Sequence, residues 1–121
     1  MARKILVIDD EQDFVDMIKI RLKANGYEVV SANDGREGLK VWEEERPDLI
    51  LLDIMMTDLD GYSFIQESKS MPELNPVPII VLTAKSSFKE IFEMEGVRDY
   101  IMKPCDDKEL LKKIEAVIGG Q

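Results

Sequence analysis

Five polar side chains of types that can take part in catalysis or metal binding stand directly after short apolar runs of this chain. They are Asp9, Asp10, Asp53, Thr83 and Lys103. Three carboxylates that lie close together repel one another and raise one another's pKa unless a cation joins them. An oxygen-only ligand set without imidazole or thiolate favours a hard cation, Mg²⁺ above Zn²⁺. Because bound Mg²⁺ accepts phosphate oxygens, the set predicts a site for phosphate chemistry if the fold brings the carboxylates together.

The composition excludes several other kinds of chemistry. The 121 residues include no histidine, so neither a Ser-His-Asp triad nor an imidazole base is available. The single cysteine, Cys105, excludes an internal disulfide and a thiolate zinc site, and it favours a reducing compartment, which we expect to be the cytoplasm. The 25 acids and 16 bases give a charge of -9, which disfavours direct binding to nucleic acid. The apolar runs are too short to cross a bilayer, and we expect no signal peptide and no membrane insertion.

Apolar runs and segments of helical period alternate along the whole chain. The runs predict five strands, at residues 5–8, 27–32, 49–52, 79–82 and 100–102, of which the first and third are expected to be buried. Five helices are predicted between and after them, with a short fourth one that begins at the capping-box spacing of Ser87 and Glu90. The other four helices have apolar positions that are expected to face inward. In the order first, second, third and fifth helix, they are Phe14, Met17, Ile18 and Leu22; Leu39 and Trp42; Phe64, Ile65 and Ser68; and Leu110, Leu111, Ile114, Val117 and Ile118.

This alternation predicts an α/β fold of one domain, residues 1–121, with helices on both faces of a parallel sheet. We expect the doubly wound, flavodoxin-like form with strand order 2-1-3-4-5. Ligands of such sheets bind beyond the carboxyl ends of the strands, near the point where the strand order reverses. With that order the first and third strands are neighbours, so Asp9, Asp10 and Asp53 would converge on one pocket.

Each of these residues, considered alone, also fits a purely structural role. Asp10 fits the N-cap of the first helix, and Asp53 fits an ordinary loop acid. Thr83 fits a plain strand position, and Lys103 fits a surface lysine with a buried stem. All of these roles would have to coincide at the strand ends of one sheet, which makes a shared site the favoured interpretation.

Four segments resemble the receiver domain of bacterial two-component response regulators, in particular single-domain receivers of the chemotaxis and sporulation-relay kind. They are KILVIDDE (4–11), DLILLDIMMTDLDGY (48–62), PIIVLTAK (78–85) and DYIMKP (99–104). The four segments occur in the family's order and nearly at its spacing, and the resemblance covers essentially the whole chain. It implies a phosphorylation-activated signalling switch rather than an enzyme of multiple turnover.

The resemblance also implies roles for the acidic residues and for the metal. Asp53 resembles the phosphoacceptor, whose carboxylate attacks phosphorus to form an aspartyl phosphate. Asp10, Asp53 and the backbone carbonyl of Met55 would hold Mg²⁺, and Asp9 would act largely through bound water. The donor would be a sensor histidine kinase, a histidine phosphotransferase or a small phosphodonor, so the phosphohistidine would belong to the partner.

Three further roles are implied by the same resemblance. The hydroxyl of Thr83 would bind one phosphoryl oxygen, and the ammonium of Lys103 would bind another. Tyr100 matches the family's switch aromatic, which turns inward when the residue matching Thr83 moves toward the phosphate. The remodelled face would then bind a downstream partner, whose identity is unknown, or the phosphoryl group would pass onward in a phosphorelay. Taken alone, Tyr100 also fits a half-buried strand tyrosine.

The chain departs from the family's usual pattern at four places. Thr57 stands where proline is usual, which predicts a less rigid loop after Asp53. Cys105 replaces a bulky apolar residue and is expected to pack as a small hydrophobe. The spacing from Thr83 to Lys103 is about two residues shorter than usual, and the small-residue pattern before the last strand here is Gly96-Val97-Arg98. The last two departures predict a shortened or irregular fourth helix.

Two other functions are compatible with parts of the sequence. A small Mg²⁺-dependent phosphatase of the haloacid-dehalogenase kind would use Asp53 as its nucleophile. In such enzymes a second acid usually follows two positions later, where this chain has Met55. A constitutive interaction module that is never phosphorylated would not need the complete set of Asp9, Asp10, Asp53, Thr83 and Lys103.

Overall fold

The computed structural model describes residues 2–56, 58–84 and 96–119. Its elements follow the predicted alternation: β1 Lys4–Ile8, α1 Gln12–Ala24, β2 Glu28–Ala32, α2 Gly35–Glu45, β3 Leu49–Asp53, α3 Gly61–Lys69, β4 Ile79–Thr83, β5 Val97–Met102 and α4 Asp107–Ile118. The predicted fourth helix around Ser87 and Glu90 lies outside the described residues, as do Thr57 and Lys85. The last described helix is therefore called α4.

The five strands form one parallel sheet in the order β2-β1-β3-β4-β5, which confirms the predicted fold class and strand order. In this order β1 lies beside β3, and Ile8 is the register partner of Leu52. On the other side of β3, Asp53 is the register partner of Leu82 in β4. Asp9 and Asp53 therefore leave adjacent strands at the same edge of the sheet.

The inner strands β1, β3 and β4 are buried on both faces, which explains their unbroken apolar runs. Alternate residues of β1 and β3 point to opposite faces. Leu6 and Ile50 pack with α2 and α3, whereas Ile5 and Leu49 pack with α1 and α4. All five residues of β3 and all five of β4 are buried. The sheet is a rigid platform for the side chains that follow its strands.

Aspartates cap the N-termini of three helices. Asp34 begins α2 and accepts a hydrogen bond from the N–H of Glu37, and Asp60 begins α3 in the same way. Asp106 accepts from the N–H of Glu109 at the start of α4. These bonds satisfy amides that a helix leaves unpaired in its first turn.

The start of α1 differs from the structural alternative considered for Asp10. The N-cap position is Glu11, and its side chain makes no capping hydrogen bond within the described chain. The predicted inward residues of α1 all pack on the core, but the prediction omitted Val15. Val15, Ile18 and Leu22 are its buried residues, whereas Phe14 and Met17 are only half-buried.

The last strand is longer than predicted. β5 begins at Val97, directly after Gly96, whose φ of 99° is a backbone conformation that favours glycine. The register between β4 and β5 shifts at Ile79 and Ile80, so the segment Gly96-Val97-Arg98 enters the sheet through an irregular pairing. No helix among residues 2–56, 58–84 and 96–119 is long and apolar enough to cross a membrane.

Candidate functional site

Three carboxylates meet at the carboxyl ends of β1 and β3. Asp9, Asp10 and Asp53 each offer an oxygen, and these oxygens all lie within 4.8 Å of one another. Asp9 and Asp53 are buried, and Asp10 is exposed at the mouth of the cluster. The structure thus brings together the three acids that the sequence predicted to converge, and it leaves one side of the cluster open to solvent.

Asp9 is the deepest of the three acids. Its Oδ1 accepts a hydrogen bond of 2.9 Å from the N–H of Glu11, which shapes the turn from β1 into α1. Its Oδ2 lies 2.7 Å from Nζ of Lys103, but no described donor is aligned for a good hydrogen bond to this buried oxygen. The contact between Asp9 and Lys103 is therefore an ion pair, and Oδ2 keeps capacity for a further partner.

Lys103 brings the only ammonium that the described residues place within 4 Å of this cluster. It follows β5, and its backbone N–H donates to the carbonyl of Thr83 at 2.8 Å, which fixes its stem beside the end of β4. Its Nζ lies 3.0 Å from Glu11 Oε1 and 3.7 Å from Asp53 Oδ2. Burial by itself lowers the pKa of Lys103, but the contacts with Asp9 and Glu11 and the charge of Asp53 outweigh it, so the pKa is raised. The ammonium stays charged at neutral pH.

Asp53 is held by its own strand end. Its Oδ1 accepts a hydrogen bond of 3.1 Å from the N–H of Met55. Burial raises the pKa of the Asp53 carboxyl, and the charges of Asp9 and Asp10 add to the rise. The Met55 hydrogen bond and the Lys103 charge act in the opposite direction without cancelling it. A cation bound between the carboxylates would relieve this repulsion.

The remaining predicted residues lie on the neighbouring strands. Thr83 is fully buried at the end of β4, next to the strand that carries Asp53. Tyr100 lies on β5 with 39% of its surface exposed. Nζ of Lys113, on α4, lies 4.7 Å from the centroid of the Tyr100 ring and donates a hydrogen bond to the Tyr100 carbonyl.

Two residues near the cluster were missed by sequence reasoning. Glu11 pairs with Lys103, and Phe14 places its ring centroid 4.5 Å from the Lys103 ammonium. The signal for Glu11 was an acid directly after the Asp9-Asp10 pair. Phe14 was assigned to the core stripe of α1, and besides packing there it contacts a cation from another part of the chain.

Cys105 packs at the edge of the cluster of apolar side chains between the sheet and α1 and α4, which confirms its predicted role as a small hydrophobe. Burial raises the pKa of its thiol, and the nearby charges of Glu109, Asp106 and Asp107 add to this. A protonated thiol is a poor nucleophile.

The donor set fits a hard divalent cation. All the convergent atoms are carboxylate oxygens, one acid faces solvent, and Asp9 Oδ2 lacks an aligned donor. The backbone of Met55 reaches the cluster through its N–H, and its side chain is exposed. A partly open oxygen site of this kind leaves room for water and for phosphate oxygens, which Mg²⁺ retains as ligands.

Comparison with known proteins gives a consistent result. Residues 5–115 match the sequence profile of the response regulator receiver domain. The chain is 38% identical over 120 residues to the alkaline phosphatase synthesis transcriptional regulatory protein PhoP of Bacillus subtilis, and the match covers 98% of this chain and 49% of PhoP. The chain spans about half the length of the curated relatives that it matches.

Two solved structures have nearly the same fold. The chemotaxis protein CheY4 of Vibrio cholerae superposes with a TM-score of 0.88 at 29% identity, over 97% of this chain and 99% of that one. The receiver domain of the sensor histidine kinase PA1611 of Pseudomonas aeruginosa superposes with a TM-score of 0.86 at 31% identity, over 99% and 100%. In that structure a magnesium ion is coordinated in the active-site cleft.

Proposed function

This chain belongs to the response regulator receiver domain family, and from that premise we propose that it is a switch turned on by phosphorylation of Asp53. The observation that carries the proposal is the meeting of three carboxylates with one ammonium at the edge of the sheet. A lone surface acid would need none of these neighbours. The buried Asp9, the buried Asp53 and the shielded Lys103 instead form a charged pocket with one open side.

The chemical step that we propose is transfer of a phosphoryl group to an Asp53 oxygen. That oxygen forms a bond to phosphorus while the phosphorus–nitrogen bond of a phosphohistidine breaks. The electron pair of the broken bond stays on the imidazole nitrogen, and release of neutral imidazole takes up one proton. The sensor histidine kinase or histidine phosphotransferase would supply the phosphohistidine, since this chain has no histidine.

Phosphoryl transfer needs mainly alignment and neutralisation of charge. Bound Mg²⁺ would neutralise the phosphoryl oxygens, and Asp9, Asp10, Asp53 and the Met55 carbonyl are the residues proposed to hold it. The Lys103 ammonium would need only a small movement to contact a second phosphoryl oxygen, because its Nζ already lies 3.7 Å from Asp53 Oδ2. The hydroxyl of Thr83 would donate to a third oxygen.

The output that we propose passes through the surface around Tyr100. The ring is partly exposed, so an inward rotation would bury it and change the shape of the β5 surface. A downstream protein would then bind that surface, or the phosphoryl group would pass to another histidine in a phosphorelay. We propose that the domain works in the cytoplasm and does not itself bind nucleic acid. It would catalyse only its own phosphorylation and slow dephosphorylation.

The test is intact mass spectrometry after incubation with Mg²⁺ and acetyl phosphate. We expect one labile phosphoryl adduct on the unmodified chain and none on Asp53→Asn, which keeps the size of the side chain and removes the nucleophile. Omission of Mg²⁺ should also prevent the adduct. A folded chain that forms no adduct would favour the unphosphorylated interaction module, and rapid multiple turnover of acetyl phosphate would favour the phosphatase.

The metal assignment has a separate test. Mg²⁺ that binds the folded chain must raise its melting temperature by mass action. Asp10→Asn should reduce that rise, because it removes the exposed charge of the cluster while leaving the buried Asp9–Lys103 pair in place. An equal rise in both proteins would contradict the role of Asp10 as a ligand.

A further inference from the structure

Two aspartates from different parts of the chain bind the amides at the N-terminus of α2. Asp34, the N-cap residue, accepts from the N–H of Glu37 at 2.8 Å. Asp58, in the loop between β3 and α3, accepts from the N–H of Gly35 at 3.1 Å and from the N–H of Arg36 at 3.2 Å. Asp34 alone would cap the helix in the ordinary way. The second carboxylate links the helix to the loop that follows Asp53.

A close packing contact stands next to these hydrogen bonds. Leu59 is buried, and a Cβ atom added at Gly35 would lie 2.8 Å from the Cβ of Leu59. The loop therefore approaches the first residue of α2 more closely than a side chain at that position would allow. Asp58 and Leu59 together hold the loop against α2, one through backbone amides and the other through close packing.

The first residues of the same loop directly follow Asp53 of the acidic cluster. The N–H of Ile54 donates to the carbonyl of Leu82 at 3.2 Å, and the N–H of Gly61 donates to the carbonyl of Ile54 at 2.9 Å. These bonds hold Ile54, at the start of the loop, close to Gly61, at its end. Met55, the next residue, has an exposed side chain, its N–H donates to Asp53 Oδ1, and the residue after it, Met56, is buried in the core.

We propose that Asp58 is a positioning residue for metal binding, because its carboxylate anchors the loop to α2 and so limits where the backbone carbonyl of Met55 can lie relative to the acidic cluster. This inference rests on the proposed function, in which that carbonyl is a ligand of Mg²⁺. Mg²⁺ requires nearly ideal octahedral geometry and short ligand distances, so a small displacement of one carbonyl weakens binding. Residues that orient metal ligands often matter almost as much as the ligands themselves.

The electrostatic state of Asp58 agrees with this role. Desolvation raises the pKa of its carboxyl, but the backbone hydrogen bonds from Gly35 and Arg36 outweigh that effect and the pKa is lowered. The side chain is therefore ionised at neutral pH and complements the positive end of the α2 dipole. Arg36 also forms an ion pair with Glu67, which links α2 to α3.

The experiment compares Asp58→Ala with Asp34→Ala in the full chain. Each variant removes one carboxylate from the N-terminus of α2, but only Asp58→Ala releases the loop. Titration calorimetry with MgCl₂ should show about tenfold weaker Mg²⁺ binding for Asp58→Ala, the lower range for loss of a group that orients a ligand. Asp34→Ala should weaken Mg²⁺ binding by less than about twofold, because its cap acts on α2 alone. Asp58→Asn keeps one acceptor oxygen and should lie between Asp58→Ala and the unmodified chain.

A second measurement needs no metal. Amide hydrogen exchange in the metal-free chain should be faster at Met55 in Asp58→Ala than in Asp34→Ala. Equal Mg²⁺ affinities and equal Met55 exchange in the two alanine variants would overturn the positioning role. An unmodified chain that binds no Mg²⁺ in the calorimeter would instead overturn the proposed metal site, and the inference with it.

Discussion

Lys103 Nζ lies 2.7 Å from Asp9 Oδ2, and the two residues belong to opposite ends of the chain. Asp9 is fully buried, and only 12% of the Lys103 side chain is exposed. The same ammonium is 3.7 Å from Asp53, which is 1.0 Å farther than from Asp9 (3.7 minus 2.7). The Lys103 ammonium, which offsets part of the negative charge of the acidic cluster, is thus paired with Asp9 and lies close to the proposed phosphoacceptor.

The first prediction concerns the stability of this pair. Lys103→Met keeps an unbranched apolar side chain over Phe14 but leaves Asp9 buried without a cation. Loss of one partner of a buried pair costs about 3–5 kcal/mol, and we expect a value near the lower end, since one side of the cluster is open. The free energy of unfolding from urea titration, measured without Mg²⁺, checks this.

Glu11→Gln is the matched control for that variant. The Glu11 side chain, which pairs with the same ammonium, is 66% exposed. Its loss should therefore lower the free energy of unfolding by less than about 1 kcal/mol. The double variant Asp9→Asn, Lys103→Met should regain part of the stability that Lys103→Met loses. If Glu11→Gln cost as much as Lys103→Met, the importance of the buried pair would be refuted.

The second prediction concerns the pH dependence of stability. Because the pKa of Asp53 in the folded chain lies above the ordinary aspartate value of 3.8, the folded chain binds more protons than the unfolded chain between these two pKa values. Stability therefore falls as the pH rises through this window, and the full penalty remains at neutral pH. Asp53→Asn should thus be more stable than the unmodified chain at pH 7 without Mg²⁺. The difference should shrink as the pH approaches 3.8.

Asp16→Asn provides a comparison, because Asp16 is an exposed acid on α1. Its effect should stay within about 0.5 kcal/mol. Added Mg²⁺ should stabilise the unmodified chain more than Asp53→Asn and so reduce or reverse their order. A metal-free Asp53→Asn protein that is less stable than the unmodified chain at pH 7 would mean that the Lys103 charge outweighs the burial of Asp53.

Much of the fold followed from local sequence patterns. The apolar runs of β1, β3 and β4 identify strands buried on both faces, and the alternation with helices leads to a parallel sheet. The convergence of Asp9 and Asp53 then follows from strand order alone. Caps such as Asp106 were predictable because their partners lie three residues away.

Contacts between distant residues were not predictable in the same way. Glu11 and Lys103 are 92 positions apart, and no periodic pattern joins them. In α1 both Phe14 and Val15 are apolar, so the buried one depends on the rotation of the helix against the sheet. Asp58 has the appearance of an ordinary loop acid until α2 is placed beside it.

The third prediction tests the packing of α2 on β1. A Cβ atom at Gly38 would lie 2.7 Å from Cδ1 of Ile8, the residue directly before Asp9. Gly38→Ala should therefore lower the free energy of unfolding by up to about 2 kcal/mol, because an overpacking cost of about 1–3 kcal/mol is partly offset by the gain of about 1 kcal/mol in helix propensity of alanine over glycine. Ile8→Val lacks the Cδ1 atom, so the double variant should be more stable than the sum of the single effects predicts. Strict additivity in urea titrations would show that the contact is not limiting.

The fourth prediction concerns Tyr100 and its cation. The Lys113 ammonium lies 4.7 Å from the ring centroid and favours the observed, partly exposed position. A cation–π contact of about 0.5–1 kcal/mol corresponds to a shift of about two- to fivefold in the population of that position. Lys113→Met should therefore move the fluorine resonance of fluorotyrosine-labelled Tyr100 toward the value reached after incubation with Mg²⁺ and acetyl phosphate. Tyr100→Phe identifies the resonance.

The same ring separates readout from chemistry. Tyr100 lies on β5, and Asp53 lies at the end of β3, with β4 between them. Tyr100→Ala should therefore leave the rate of phosphorylation within about twofold, an effect of about 0.4 kcal/mol on the barrier, because the residues around Asp53 are unchanged. It should also abolish the conformational response at β5, seen as loss of the phosphorylation-dependent changes in amide exchange of Ile101. A Tyr100→Ala protein that no longer forms the phosphoryl adduct, although it still binds Mg²⁺, would assign Tyr100 to the transfer step itself.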